Sequence, residues 1–450
     1  MRRRSLDGER RGAHDATTFG SDFGPLTLSS ETAFDLAALD QRIEHLAESA
    51  FAFLERLVAA PSVVGDEGDA QEVVAAQLDR LGFAVERLPI DPSVTEDAAA
   101  GVGQTSYEGR YNVLGVRGSG ERRLLLNGHV DVVPAEEPEL WTSPPFEPTR
   151  RDGWLAGRGA GDMKSGFAAA FLALEALGDV APWTTGTGFA FLSAIEEECT
   201  GNGTLSAARG GVLGEVVVLP EPTDLALLVA GIGVTWLDVE IRGTAGHAES
   251  ADRSVSPVDV AIAFVEELRM LEHVMNAEIE PSMAGVTHPY NVNVGTIRAG
   301  DWASSVPALA RLGLRIGHPS AWDTARTTSK VQAALDRAVE RLEAPLPRPP
   351  ELRPSGFRAQ GYALERDHPL VRELATAHAE AHGDEPEVVA MGATTDARFY
   401  LNGFGVPAVC YGARTVNMHG VDEAVELSSI VDVAKTLARF IGRRCAGAPS

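Results

Sequence analysis

Leu124-Leu125-Leu126-Asn127-Gly128-His129-Val130-Asp131 sets an imidazole and a carboxylate immediately past a run of apolar residues. Such a run, closed by glycine, reads as a strand buried on both faces of a largely parallel sheet. Four other stretches place metal-binding or proton-handling side chains in the same way. They are Gly159-Ala160-Gly161-Asp162-Met163-Lys164-Ser165-Gly166, Phe191-Leu192-Ser193-Ala194-Ile195-Glu196-Glu197-Glu198, Val216-Val217-Val218-Leu219-Pro220-Glu221-Pro222-Thr223 and Asn417-Met418-His419-Gly420. In open α/β sheets the ligand crevice lies at the carboxyl ends of the strands, so these distant residues are expected to converge.

Outward from that stretch, strands are predicted at 111–116, 123–127, 188–193 and 215–219, with a small-residue helix over 165–177. Helical spacing over 38–59 and 70–81 precedes them, and strands alternating with helices imply an α/β domain with a mixed, largely parallel sheet flanked by helices. The texture then changes. Val234, Trp236, Val239 and Ile241 alternate as in a half-exposed strand, and 257–271 is an amphipathic helix. Two more strands at 291–298 and 309–316 and a helix over 324–342 complete an α+β run of roughly a hundred residues, bounded by the proline-rich 345–354 stretch. The first texture resumes with a helix over 370–381 and a strand over 406–411. The division that follows is a disordered extension over 1–30, a catalytic domain over 31–229 and 346–450, and an inserted domain over 230–345.

The chain has 450 residues, 44% hydrophobic and 23% charged, too long for a single compact core. Its formal net charge of -25 argues against nucleic-acid or anionic-membrane partners, which are held by clustered Lys and Arg. No stretch reaches the ~18 apolar residues needed to span a bilayer. Three cysteines, Cys199, Cys410 and Cys445, form no disulfide framework or Cys-rich metal spacing, which fits a reducing cytoplasm. Cys199 adjoins the acidic triplet, and the preferred reading is a small semi-buried thiol rather than a reactive one.

His129 and Asp131, two apart at a strand end, share one side and can act as ligand and orienting carboxylate, although buried His–Asp pairs are also common structural elements. The glycine-rich turn around Asp162 can bring a carboxylate close to a cation. It could also cradle phosphate with Lys164 and Ser165, but the Walker spacing is absent. Three successive glutamates are usually a solvated loop face. Here they follow a buried strand and precede Gly201 and Gly203, and a cation would offset their repulsion while leaving one carboxylate free as a base. Glu221 is held between prolines, and His419 follows an apolar strand after a short loop. Five such placements at five strand ends describe a two-metal hydrolase.

The ordered set HVD, GAGDMKSG, EEECTGNG, PEPT, GTAGHA, TTDAR and MHGVDE, spanning about 36 to 441, resembles the zinc-dependent deacylase and exopeptidase family of acetylornithine deacetylase, succinyl-diaminopimelate desuccinylase, aminoacylase and glutamate carboxypeptidase. The resemblance implies a catalytic α/β domain with an inserted ferredoxin-like lid and dimerisation domain, and a homodimer. It implies that Asp162 bridges two divalent ions, with Glu198 and His419 completing one site, His129 and Glu221 the other, and Asp131 orienting His129. Glu197 is implied as the general base that takes a proton from the water between the ions and passes it to the departing amine. Carboxylate and imidazole ligands suit Zn(2+), with Co(2+) or Mn(2+) as substitutes. His247 resembles the lid histidine that supports the oxyanion, often across subunits; Thr394, Asp396 and Arg398 resemble the substrate loop, and Arg315 a substrate-carboxylate contact.

Ser304 stands where several desuccinylase-like members carry asparagine, and a hydroxyl cannot repeat a carboxamide's contacts. The expectation is therefore removal of an acetyl- or formyl-type group from a small N-acylated amine or amino acid. The alternatives are a dipeptidase or carboxypeptidase using the same site, and a non-catalytic binding protein of the same fold.

Overall fold

The computed structural model describes residues 35–118, 122–180 and 188–445, so the expectation for 1–30 lies outside the described residues. A mixed sheet runs in the order Ala84–Pro89, Tyr111–Arg117, Gly188–Ala194, Arg122–His129, Val217–Leu219, Ala408–Cys410, Leu227–Gly231 and Tyr362–Ala363, with Val388–Met391 also paired to Leu227–Gly231. Its four central strands, from Gly188–Ala194 to Ala408–Cys410, are parallel. All seven residues of Gly188–Ala194 are buried, as expected for a strand covered on both faces. The α/β reading of the sequence is borne out.

The Ser165–Val180 helix is buried on every side through Leu174, where it is enclosed by the helices Leu36–Ala59 and Leu427–Cys445 and by the sheet. Phe167 and Phe171 meet the strand residue Phe191 at 5.2 and 4.8 Å between ring centroids, and Phe171 meets Phe53 at 5.2 Å. Edge-on and tilted contacts of this kind fix the helix against the sheet. Gly166 makes that approach close enough to matter: a Cβ there would collide with the Pro220 carbonyl, next to Glu221. The packing of this helix thus draws the Asp162 turn toward the Glu221 turn.

A second sheet, wholly antiparallel, runs Val292–Ala299, Leu309–His318, Gly233–Arg242 and Glu351–Ala359. The helices Pro257–Met275 and Thr324–Glu340 cover it and form a separate apolar core around Val234, Leu237, Val239 and Ile241. The strand Glu351–Ala359 belongs to this sheet, although the sequence reading assigned 346–450 to the large domain. Pro354 obscured it: proline is tolerated on an outer strand, and here a register shift follows between Pro354 and Arg358.

A third, small sheet of Thr149–Arg151, Trp154–Ala156, Ala424–Glu426 and Thr415–Val416 brackets the loop that carries His419. No helix among the described residues is long and apolar enough to cross a membrane. The three cysteines are buried.

Candidate active site

His129 ends the Arg122–His129 strand, and its imidazole is fixed by its own neighbourhood. Nδ1 lies 2.9 Å from the main-chain oxygen of Asp131, which leaves Nε2 pointing outward, 3.2 Å from Asp162 Oδ1. The Asp131 carboxylate lies farther off, 3.7 Å from Nδ1. Its closer partners are the amides of Glu197 and Glu198, each donating at 3.1 Å. Asp131 therefore positions the glutamate turn with its side chain and the histidine with its backbone.

Asp162 is the centre of the cluster. Its Oδ1 faces His129, and its Oδ2 lies 3.3 Å from His419 Nε2. His419 Nε2 is also 3.0 Å from Glu198 Oε2, and His129 Nε2 is 3.8 Å from Glu221 Oε2 and 3.9 Å from Glu197 Oε2. Ligand atoms of His129, Asp162 and Glu198 all lie within 4.8 Å of one another. The backbone reaches these positions through turns with positive φ at Glu196 (65°) and His419 (61°). All five residues expected as metal ligands, and Glu197, are thus brought together from five separate turns.

Glu196 faces the other way. It is fully buried beside Arg110, whose Nη1 lies 3.7 Å from Glu196 Oε1, and that guanidinium is also bonded to Glu67. Of the three consecutive glutamates, only Glu197 and Glu198 point into the cluster.

Burial pulls His129 down, but Asp162, Glu221 and Glu197 outweigh it and hold the imidazole well above its ordinary value. Glu198 and then Asp162 push His419 up to about 11, partly opposed by burial. Burial raises Glu197 well above the carboxylate range and Glu221 to about 8. Asp162, though buried, is held low by hydrogen bonds from both imidazoles. A crowded set of carboxylates with two imidazoles is a poor structural core by itself, whereas nitrogen and oxygen donors at these spacings fit divalent cations.

A consequence can be tested. The surrounding carboxylates favour the protonated form of both imidazoles, and a cation has to displace those protons. Metal uptake by metal-free protein should therefore release protons and weaken as pH falls, about tenfold per pH unit for each proton displaced. Calorimetric titration with Zn(2+) in buffers of different ionisation enthalpy measures that release, and a buffer-independent heat would contradict it.

The sequence assigned no role to Glu423. Its carboxylate is buried and accepts from the amides of Gly159, Gly161 and Asp162 at 2.9–3.0 Å, and from Arg158 Nη1 at 2.7 Å. It holds the glycine turn in the shape that presents Asp162 to both histidines. The Glu423→Gln variant should lose roughly 10–100-fold in metal affinity, as changes one shell out from a metal do. An equilibrium metal titration checks this.

Arg398, expected at the substrate, is buried. It donates to the carbonyls of Thr395 (2.9 Å) and Thr200 (2.8 Å) and packs on Phe357 and Phe399. The guanidinium clamps the turn that follows Glu198, where Gly201 has φ +72° and where any Cβ would strike Arg398 and Asp396. Thr394 Oγ1 is buried without a hydrogen-bond partner among the described residues. Arg315 reaches the same loop, 3.4 Å from the Gly392 carbonyl, and no carboxylate pairs with it among the described residues. His247 stands apart on an exposed turn, where its Nδ1 accepts from the Glu249 amide at 3.1 Å.

Residues 125–443 match the model of peptidase family M20/M25/M40. The chain belongs to this family. It is a hydrolase acting on amide bonds, and the resemblance read from the motifs is borne out. Among curated proteins it is similar to succinyl-diaminopimelate desuccinylase of Caulobacter sp. (strain K31), 29% identical over 409 residues that cover 87% of this chain and 95% of that one. Among solved structures it is similar to the dipeptidase Dug1p of Saccharomyces cerevisiae, with a TM-score of 0.74 at 16% identity, covering 92% of this chain and 99% of that one. It is also similar to the Bacillus subtilis YXEP protein, described as a dinuclear metal binding peptidase, with a TM-score of 0.56 at 13% identity, covering 90% and 100%. At such identities the structural likeness establishes the fold.

Proposed function

We propose that the chain removes an acetyl- or formyl-type acyl group from a small N-acylated amine or amino acid, using two divalent cations. The observation that carries the reading is the Asp162 carboxylate, whose two oxygens face two different imidazoles, His129 on one side and His419 on the other. Such a carboxylate serves two ions at once. Glu221 then joins His129, and Glu198 joins His419. Bound there, divalent cations would supply a lowered pKa for water and an offset to charge on the carbonyl oxygen under attack.

Glu197 is the general base. It takes a proton from the attacking water on its carboxylate and gives it to the leaving nitrogen, a task suited to a carboxyl whose buried position raises its proton affinity. Thr394 and Arg315, at one loop and without side-chain partners among the described residues, are placed to meet the polar end of a substrate. Arg398 acts on that loop and on the glutamate turn from behind.

The small domain is proposed as lid and dimer surface, with His247 acting across subunits. Ile262, Met270 and Val274 are exposed on its Pro257–Met275 helix and Ile297 on its outer strand, which supports a partner copy there. Zn(2+) is the proposed ion and the cytoplasm the proposed compartment.

The desuccinylase relatives make N-succinyl amines the closest competing substrates. A screen of N-acetyl, N-formyl and N-succinyl amines and of dipeptides, with Zn(2+) or Co(2+), tests the reading. Turnover of N-acetyl or N-formyl compounds above the rest supports it. Hydrolysis confined to dipeptides replaces it with a peptidase.

A further inference from the structure

The chain passes from the first sheet to the second at Ile232, between Leu227–Gly231 and Gly233–Arg242, and returns at Gln360 and Gly361, between Glu351–Ala359 and Tyr362–Ala363. The two crossings lie side by side, because Tyr362 pairs with Gly231 and Ala359 with Val234. Against them rests the 392–398 loop: the Ile232 amide donates to the Ala393 carbonyl at 2.9 Å. A Cβ on Gly231 would strike both that carbonyl and the Tyr362 ring, so strand, ring and loop are in close contact.

Tyr362 is buried, and its hydroxyl lies 2.7 Å from Thr395 Oγ1, also buried. A threonine hydroxyl offers one proton and two lone pairs. Here all three are engaged, since the Ala397 amide donates to Oγ1 at 3.3 Å and Cys410 Sγ lies 3.5 Å from it. Without the Tyr362 oxygen this hydroxyl would be left with one bond unmade.

The carbonyl of the same threonine accepts from Arg398 Nη1 at 2.9 Å, and Arg398 Nη2 donates to the Thr200 carbonyl at 2.8 Å. Thr200 closes the glutamate turn, its amide donating to the Glu196 carbonyl at 3.1 Å. An unbroken chain of bonds thus runs from Tyr362 at the crossing, through one threonine and one arginine, to the segment that carries Glu197 and Glu198. Neighbouring carboxylates repel one another, so the shape of that segment depends on outside supports. Asp131 supplies one, through two amides, and Arg398 another, through one carbonyl.

We propose that Tyr362 is a positioning residue for amide hydrolysis, holding the glutamate turn, and with it the Glu197 carboxylate, through Thr395 and Arg398. The proposal rests on Glu197 as the base. Displacing a reacting group by 1 Å can cost about 10²-fold in rate, and loss of this tether costs less because the Asp131 bonds remain.

The test is steady-state kinetics on the full-length, metal-loaded protein, with the compound turned over best in the screen above. Tyr362→Phe removes one oxygen and keeps the ring, and Thr395→Val removes the hydroxyl and keeps the bulk. Each should lower kcat by roughly 5–20-fold, with KM and metal content near wild type. Thr395→Ser, which keeps the hydroxyl, should have a kcat near wild type. The double variant Tyr362→Phe/Thr395→Val should be no slower than the slower single one, since both cut the same chain. A bond that only stabilised the fold would lower the melting temperature and leave kcat alone. Wild-type kcat in Tyr362→Phe, or losses that multiply in the double variant, overturns the proposal. Glu197→Gln separates the two failures: wild-type kcat there removes the base itself, whereas its loss alongside wild-type kcat in Tyr362→Phe removes only the tether.

Discussion

Replacing Glu197 by glutamine should lower kcat by roughly 10²–10⁴, the range that a positioned general base contributes. Metal content and melting temperature should stay near wild type. The amide matches the carboxylate in size, and the turn itself is held through main-chain amides donating to Asp131, which the substitution leaves intact. What is lost is only the capacity to carry a proton. The contrast with Glu196 sharpens the test. Glu196 is turned toward Arg110 and away from the cluster, so Glu196→Gln should lower stability through that buried pair while leaving kcat within a few-fold of wild type. Steady-state kinetics on both variants decides between them. Should the losses be exchanged, Glu196 is the base and the assignment of the turn is wrong.

Asp162→Asn should be more damaging still. The substitution removes one negative charge from between His129 and His419 and replaces one acceptor oxygen with a donor nitrogen. Either orientation of the amide aims that nitrogen at one of the two ion positions. Metal affinity should therefore fall by more than the roughly 10–100-fold expected for a residue one shell out, and hydrolysis should fall with it. Elemental analysis after dialysis, with circular dichroism to confirm the fold, measures the effect. A variant that keeps its catalytic ions and its rate would remove Asp162 from the bridging role.

The strand ends were the legible part of this site. Leu124–Leu126, Phe189–Leu192 and Val216–Leu219 are apolar on both faces, so their ends could be seen in the sequence, and with them His129, Glu198 and Glu221. The turns that join strand to site were not. Glu423 acts by accepting three backbone N–H groups, and a backbone donor leaves no mark on residue type. Arg398 reads as a charge available to substrate until the surrounding carbonyls of Thr200 and Thr395 are placed. The small sheet around His419 was missed because its strands, such as Thr149–Arg151 and Thr415–Val416, are too short to show alternation. In the second sheet, alternation revealed Gly233–Arg242 but prolines hid Glu351–Ala359, a strand that tolerates them only at an edge.

Lys164, two residues beyond Asp162, is fully buried, and its ammonium donates to the carbonyls of Leu57 and Ala60 at 2.8 and 3.0 Å. Those are orphan acceptors at the C-terminal end of the Leu36–Ala59 helix. That helix is thereby tethered to the turn that presents Asp162. Trimming the chain through that helix would strand a buried amine with nothing to bind, so the Leu36–Ala59 helix governs how firmly the reaction centre is anchored.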